Sequence, residues 1–198
     1  MGERPPRLTA VRRARPGRVE LEVDGRRWRV VPDEVVLRCG LAPGIALERP
    51  LLRSLRRELR AAEALGLALR AVSRRELSTR RLHERLAARG VRSATADGAV
   101  ARLTSAGVVD DARAAVSRAR SLAERGWGDA AVASRLAGEG FAADDVREAL
   151  AGLRPERDRA ADLTATAADP PAAWKLLARR GFAPETLEDV VGLLDAGR

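Results

Sequence analysis

Residues 136–153 read LAGEGFAADDVREALAGL, and residues 177–194 repeat the pattern as LARRGFAPETLEDVVGLL. A shorter copy, LAARGV, occupies residues 86–91. Each copy places a leucine four positions before a glycine, and a hydrophobic residue follows the glycine at once. Glycine adopts the left-handed conformation that ends a helix without strain, and the next hydrophobic residue packs back on the last turn. The repeat therefore predicts three copies of one helix corner.

The chain around these corners has a helical period. From Leu51 to Val72 the leucine, valine and alanine residues recur at steps of three and four, which is typical of a long amphipathic helix. Caps and prolines mark nine helices in all. Their expected starts are Pro50, Ser78, Ala94, Asp110 or Asp111, Asp129, Ala143, Pro155, Pro170 or Pro171, and Pro184. The pattern predicts an elongated array of three tandem three-helix units, at residues 50–108, 109–154 and 155–198.

The N-terminal part of the chain differs from this helical region. Residues 1–17 are rich in arginine and proline, so they are expected to form a flexible basic tail. Residues 18–31 alternate apolar and polar side chains on both sides of Asp24-Gly25, which predicts a β-hairpin with a type I′ turn. A short helix should follow from Pro32 and stop at Gly40. The predicted fold is mainly α, with a small hairpin-plus-helix module at residues 18–49.

The composition agrees with a helical core. Hydrophobic residues make up 45% of the 198 residues but aromatic residues only 3%, and the chain has no tyrosine. The core must therefore consist of leucine, valine and alanine, and leucine and alanine are the strongest helix formers.

Positive charge is concentrated in the first part of the chain. The net charge is +9, and residues 1–110 hold 24 arginines against 13 acids, whereas residues 111–198 are slightly acidic. A basic half suggests an acidic partner, either nucleic acid or an acidic protein surface. The alternative is a compositional bias, because one lysine beside 36 arginines is also typical of a GC-rich genome.

Residues for catalysis are scarce, so the protein is not expected to be an enzyme. His83 is the single histidine and is expected at the surface or its boundary, and Cys39 is expected to be a small buried residue. The acid pairs Asp110/Asp111 and Asp144/Asp145 precede helical stretches and are interpreted as caps rather than metal ligands. Neither a cofactor nor a metal is predicted. The sequence shows no signal peptide or membrane span, which predicts a cytoplasmic protein. The protein is also expected to be a monomer.

Arginine stripes are the remaining functional candidates. Positions spaced by three, four and seven share one helix face, where guanidinium groups suit phosphate or carboxylate. The candidate contact residues are Arg53, Arg56, Arg57, Arg60, Arg74, Arg75, Arg80, Arg81, Arg85 and Arg89. The competing interpretation is an ordinary solvated helix face, and the helix pairs also suggest, more weakly, a helix-turn-helix.

Three stretches resemble the RecX family of bacterial recombination regulators. They are RRELSTRRLHERLAARGV at 74–91, AVARLTSAGVVDDARAA at 99–115 and AERGWGDAAVASRLAGEGFAADDVREAL at 123–150. The resemblance covers residues 51–198 and includes the corner GVVDD at 107–111 and the GWG at 126–128. It implies tandem three-helix units and, in some members, an N-terminal hairpin.

The resemblance also implies a function. A member of this family is expected to bind the RecA recombinase filament on DNA and to modulate, mostly inhibit, its ATP hydrolysis, strand exchange and growth. DNA would be contacted directly or within the filament. Two alternatives stay open: an autonomous nucleic-acid-binding protein, and a helical scaffold without such contacts.

Overall fold

The computed structural model describes residues 4–165 and 169–196, and side chains up to Gly192 in the last helix. Within this part of the chain the fold is mainly helical, with a small antiparallel sheet at the N-terminus, as predicted. The sheet has the strand order β1-β2-β3. Its strands are β1 Leu8–Arg15, β2 Arg18–Val23 and β3 Arg26–Pro32.

The strand β1 corrects the prediction of a flexible tail at residues 1–17, of which residues 1–3 lie outside the described part. β1 pairs with β2, and Leu8 is completely buried. The backbone N–H of Leu8 also donates to the carbonyl of Ile45, at 2.9 Å. The sequence of β1 shows no clear alternation of apolar and polar residues, because only Leu8 and Val11 direct apolar side chains to the core and half of the other residues are arginines.

The predicted hairpin is present as β2 and β3. At the turn, Asp24 and Gly25 have φ angles of +48° and +76°, as a type I′ turn requires. The turn is also tied to β1, since Asp24 accepts a hydrogen bond from the N–H of Arg7 and Thr9 accepts one from Gly25. Long-range bonds thus stabilise a hairpin that would be marginal in isolation.

Ten helices follow the sheet within the described residues. The first, α1 Asp33–Arg38, completes the N-terminal module. The other nine match the nine predicted helices. They are α2 Arg49–Val72, α3 Thr79–Ala87, α4 Ser93–Ser105, α5 Asp111–Glu124, α6 Asp129–Gly138, α7 Ala143–Ala151, α8 Glu156–Thr164, α9 Pro170–Arg179 and α10 Pro184–Ala196.

Packing divides the described residues into two compact units. The first comprises Met1–Arg70 with Leu86–Ala101, and the second comprises Ala71–Arg85 with Arg102–Arg198. The division into units at 50–108, 109–154 and 155–198 stays a prediction. In the first compact unit, the inner face of the sheet packs on α1 and the first half of α2 through Leu8, Leu21, Val35 and Leu55.

Cys39 lies beside this first core and is only half-buried, which corrects the expectation of a buried residue. It follows α1, where the chain turns back toward α2. Partial burial raises the pKa of the Cys39 thiol, and the negative charge of Glu58 adds to the shift. A hydrogen bond with Ser54 acts in the opposite direction.

The three predicted corners are present. Gly90, Gly140 and Gly181 have φ angles of +75°, +87° and +72°. In each corner the N–H after the glycine bonds to the carbonyl of the repeated leucine five positions before, for example Phe141 to Leu136 at 3.2 Å. This six-to-one bond is the Schellman arrangement.

Two of these glycines have a second role in the second compact unit. A Cβ added to Gly140 would lie 2.6 Å from the Cδ of Arg80, and a Cβ added to Gly181 would lie 2.6 Å from the Cβ of Ala131. Arg80 and Ala131 belong to α3 and α6, so each of these helices packs directly on the next corner along the chain. The repeat is thus also a packing junction.

Acidic side chains complete these two junctions. Asp111, the first residue of α5, accepts hydrogen bonds from the N–H and hydroxyl of Thr79 at the start of α3, both at 2.8 Å. Glu156, the first residue of α8, accepts the N–H of Asp129 at the start of α6, at 2.6 Å. The other carboxylate oxygen of Glu156 accepts from Ala183 and Thr186 at the start of α10.

The acid pairs therefore act differently from each other. Asp110 caps α5 as predicted, because its carboxylate accepts the N–H of Arg113 at 2.9 Å. The N-terminus of α7 has no side-chain cap, and Asp144 instead pairs with the exposed Arg147. The capping interpretation of Asp144/Asp145 is thus wrong, because the residue at the cap position is Ala142 and both aspartates lie inside the helix.

Candidate functional site

The first arginine stripe lies on α2. Arg53, Arg57 and Arg60 are exposed on one face, as their spacing predicted. The next positions on that face are Ala64 and Ala68, which are 1% and 0% exposed. The same face of α2 is thus basic and solvent-exposed over its first turns and buried further along, so the stripe ends at Arg60.

Neighbouring polar groups hold part of this stripe in place. Arg57 donates to Glu58 at 3.3 Å and to Ser54 at 3.2 Å. Glu58 also lies 3.6 Å from the guanidinium of Arg38. Arg56 is exposed beside the stripe. One carboxylate therefore faces two guanidinium groups, and the surface stays strongly basic.

The second group of arginines surrounds Arg85 on α3. Arg74 and Arg75 precede the helix, and Arg81 lies one turn before Arg85. Partial burial lowers the pKa of Arg85, and the positive charges of Arg75, Arg81 and Arg74 lower it further. Because arginine stays protonated at neutral pH, the guanidinium groups of Arg74, Arg75 and Arg81 repel that of Arg85. An anion bound among them would relieve that repulsion. We call these four residues the Arg85 cluster.

Glu84 offsets part of the charge on α3. It accepts hydrogen bonds from Arg80 at 3.1 Å and from Arg81 at 2.8 Å. These two bonds lower the pKa of Glu84, so it is ionised at neutral pH. Arg89 lies beyond the end of α3, where its side chain is exposed.

The predicted contact residues fall into both compact units. Arg53, Arg56, Arg57, Arg60 and Arg89 belong to the first, and Arg74, Arg75, Arg80, Arg81 and Arg85 belong to the second. Within the second unit the structure brings the Arg85 cluster together. The contact role of all ten arginines stays a prediction.

The structure shows a further basic cluster that the charge pattern did not predict. It lies on β3, where Trp28 is 39% exposed and the guanidinium carbon of Arg29 is 5.2 Å from the centre of its ring. The signal in the sequence is RRWR at residues 26–29, an aromatic residue inside a basic run.

Metal-ligating side chains are not grouped together among the residues that the structure describes. No three His, Cys, Asp or Glu side chains there are grouped so that they could hold a metal ion. His83 is half-buried in α3, and Cys39 lies in the other compact unit. Across residues 4–165 and 169–196, no helix combines the length and hydrophobicity that a membrane span requires.

Known proteins are similar to this chain in sequence and in fold. The regulatory protein RecX of Stenotrophomonas maltophilia is 36% identical over 129 residues, which cover 60% of this chain and 77% of that protein. RecX of Xanthomonas campestris pv. campestris is similar to the same extent. No protein-family model matches the chain.

Two crystal structures share the fold at low sequence identity. One, of a regulatory protein RecX, superposes with a TM-score of 0.78 at 17% identity and covers 93% of this chain and 98% of that one. The other, RecX from Lactobacillus salivarius, has a TM-score of 0.63 at 15% identity and covers 69% and 97%. The identity to the two sequence relatives assigns the family, and the two crystal structures have the same fold. The chain therefore belongs to the RecX family.

Proposed function

We propose that this protein is a regulator that binds the RecA filament on DNA and mostly inhibits its ATP hydrolysis, strand exchange and growth. Membership of a family whose curated proteins are named regulatory proteins supports the regulatory role. In this proposal the protein acts in the cytoplasm, as a monomer without a cofactor, during DNA repair by homologous recombination and the SOS response.

The Arg85 cluster is the observation that favours an anionic partner. The positive charges of Arg74, Arg75 and Arg81 act unfavourably on Arg85, and phosphate or carboxylate groups of a partner would offset this repulsion. Both a DNA backbone and an acidic protein surface supply such groups. The arginines on α2 offer a second surface of the same chemistry.

The decisive test is a titration of RecA's DNA-dependent ATP hydrolysis with this protein. Inhibition well below one protein per RecA subunit is expected, because a regulator that restrains filament growth acts on many subunits at once. If inhibition appears only when enough protein is present to coat the DNA, the protein is an autonomous nucleic-acid binder instead, and the proposal fails.

A double charge reversal tests the surface. Arg81→Glu with Arg85→Glu should weaken inhibition at least tenfold, because two favourable contacts become repulsive. The matched control is Lys175→Glu with Arg179→Glu, two exposed cations with the same spacing on α9. The control should inhibit like the unaltered protein. Equal inhibition by both variants would exclude the Arg85 cluster as the contact surface.

A further inference from the structure

The strand β3 carries a β-bulge that directs an aromatic side chain to solvent. Leu21 of β2 pairs with Arg29, and the next residue, Glu22, pairs with Arg27, so Trp28 is the extra residue. β3 is an edge strand of the sheet. Bulges at sheet edges re-aim side chains and often lie beside functional sites. Here the bulge leaves a large apolar ring 39% exposed.

The ring of Trp28 contacts an arginine that lines a basic cleft. Arg29 places its guanidinium over Trp28, and the same Arg29 side chain lines a cleft of about 520 Å³ between β3 and α2. Arg18 and Arg70 also line this cleft, against the single acid Glu63. The whole arrangement lies within the first compact unit. Arg29 therefore links an exposed stacking surface with a cleft whose charged side chains are mostly positive.

We propose that Trp28, together with Arg29 and Arg18 at the edge of this cleft, forms a binding site for single-stranded nucleic acid. An unpaired base stacks on Trp28, and the adjoining phosphates bind Arg29 and Arg18. Single-strand sites combine an aromatic platform with a basic groove in this way, and stacking tolerates any base because each has a π-face. Duplex DNA does not suit the ring, because its bases are already stacked. A purely acidic peptide would use the arginines and leave the ring exposed.

Binding of a labelled oligothymidylate to the full chain, with no recombinase present, tests the site. Trp28→Ala should weaken binding roughly 5- to 150-fold, the range that loss of one stacked base produces. Trp174→Ala is the matched control, since Trp174 is similarly exposed, at 41%, but lies on α9 in the other compact unit. The control should bind like the unaltered protein. Far-ultraviolet circular dichroism checks that both variants fold.

Intrinsic fluorescence localises the contact. The oligothymidylate should quench tryptophan emission in the unaltered protein and in Trp174→Ala, and the quenching should largely disappear in Trp28→Ala. Arg18→Gln should make the negative slope of log K against log salt shallower by about 0.7, as expected for one lost phosphate contact with a single strand.

Two results would overturn the inference. One is unchanged oligothymidylate affinity and quenching in Trp28→Ala. The other is a loss of affinity for polyglutamate in Trp28→Ala as large as its loss of affinity for oligothymidylate. That result would assign the site to an acidic protein. Neither result bears on the proposed regulation of RecA, because that proposal rests on other arginines and on a different assay.

Discussion

Replacement of Gly181 by alanine should destabilise the second compact unit by more than a backbone effect alone. The residue has a φ of +72°, and a side chain in that left-handed conformation costs about 1–2 kcal/mol. The new Cβ would also lie 2.6 Å from the Cβ of Ala131 and 3.0 Å from its nitrogen. Carbon atoms pack best at about 3.5–4.0 Å, so this overlap should add about 1–3 kcal/mol. The expected total is about 2–5 kcal/mol.

Gly107 provides the control for this substitution. It lies in the same compact unit and has a φ of +66°, but its added Cβ would meet nothing within 4 Å. Gly107→Ala should therefore cost only the strain of about 1–2 kcal/mol. Urea unfolding followed by circular dichroism measures both changes in the free energy of unfolding.

A double variant separates overlap from strain. Ala131→Gly removes one of the two overlapping carbons, so it should lessen the cost of Gly181→Ala by about 1 kcal/mol or more in a double-mutant cycle. Equal destabilisation by Gly181→Ala and Gly107→Ala, with no coupling to Ala131, would refute the idea that this corner is a packing junction.

Three further outcomes are expected. Glu156→Ala should lower the free energy of unfolding by about 2–3 kcal/mol, because it removes a carboxylate that accepts hydrogen bonds from two helix starts. The control Glu188→Ala, at an exposed position, should change the free energy of unfolding by less than about 0.5 kcal/mol. Urea unfolding measures both. Cys39 should react with a disulfide reagent more slowly than a free cysteine at neutral pH, because its raised pKa lowers the thiolate fraction. Ser54→Ala should slow that reaction further, since the hydrogen bond that lowers the thiol pKa is lost; a faster reaction would contradict the assignment.

Helix positions could be predicted because helix ends are local. The bond that closes each corner spans five residues, as from Phe182 to Leu177, and depends on the left-handed glycine between them. The hairpin turn at Asp24-Gly25 is equally local. Periodicity, caps and turn residues were therefore enough to find the ten helices of the described residues and two of the three strands.

Side chains that serve distant partners could not be predicted in the same way. Asp111 looked like a cap for its own helix, but its carboxylate serves Thr79, 32 residues away. The strand β1 needed β2 and the loop at Ile45 to form. The predicted apolar positions of α2 did not include Ala64 and Ala68, and only packing shows that these two residues are buried.

The sequence by itself determined the repeated helix corners, the helical class of the fold and the uneven distribution of charge, because each depends on residue type and short spacing. The tertiary structure decided why Gly181 must lack a side chain, which arginine charges act on Arg85, and where the bulge places Trp28. These features depend on distances between residues far apart in the chain. Such distances are set by the packing of whole elements, and no local pattern encodes them.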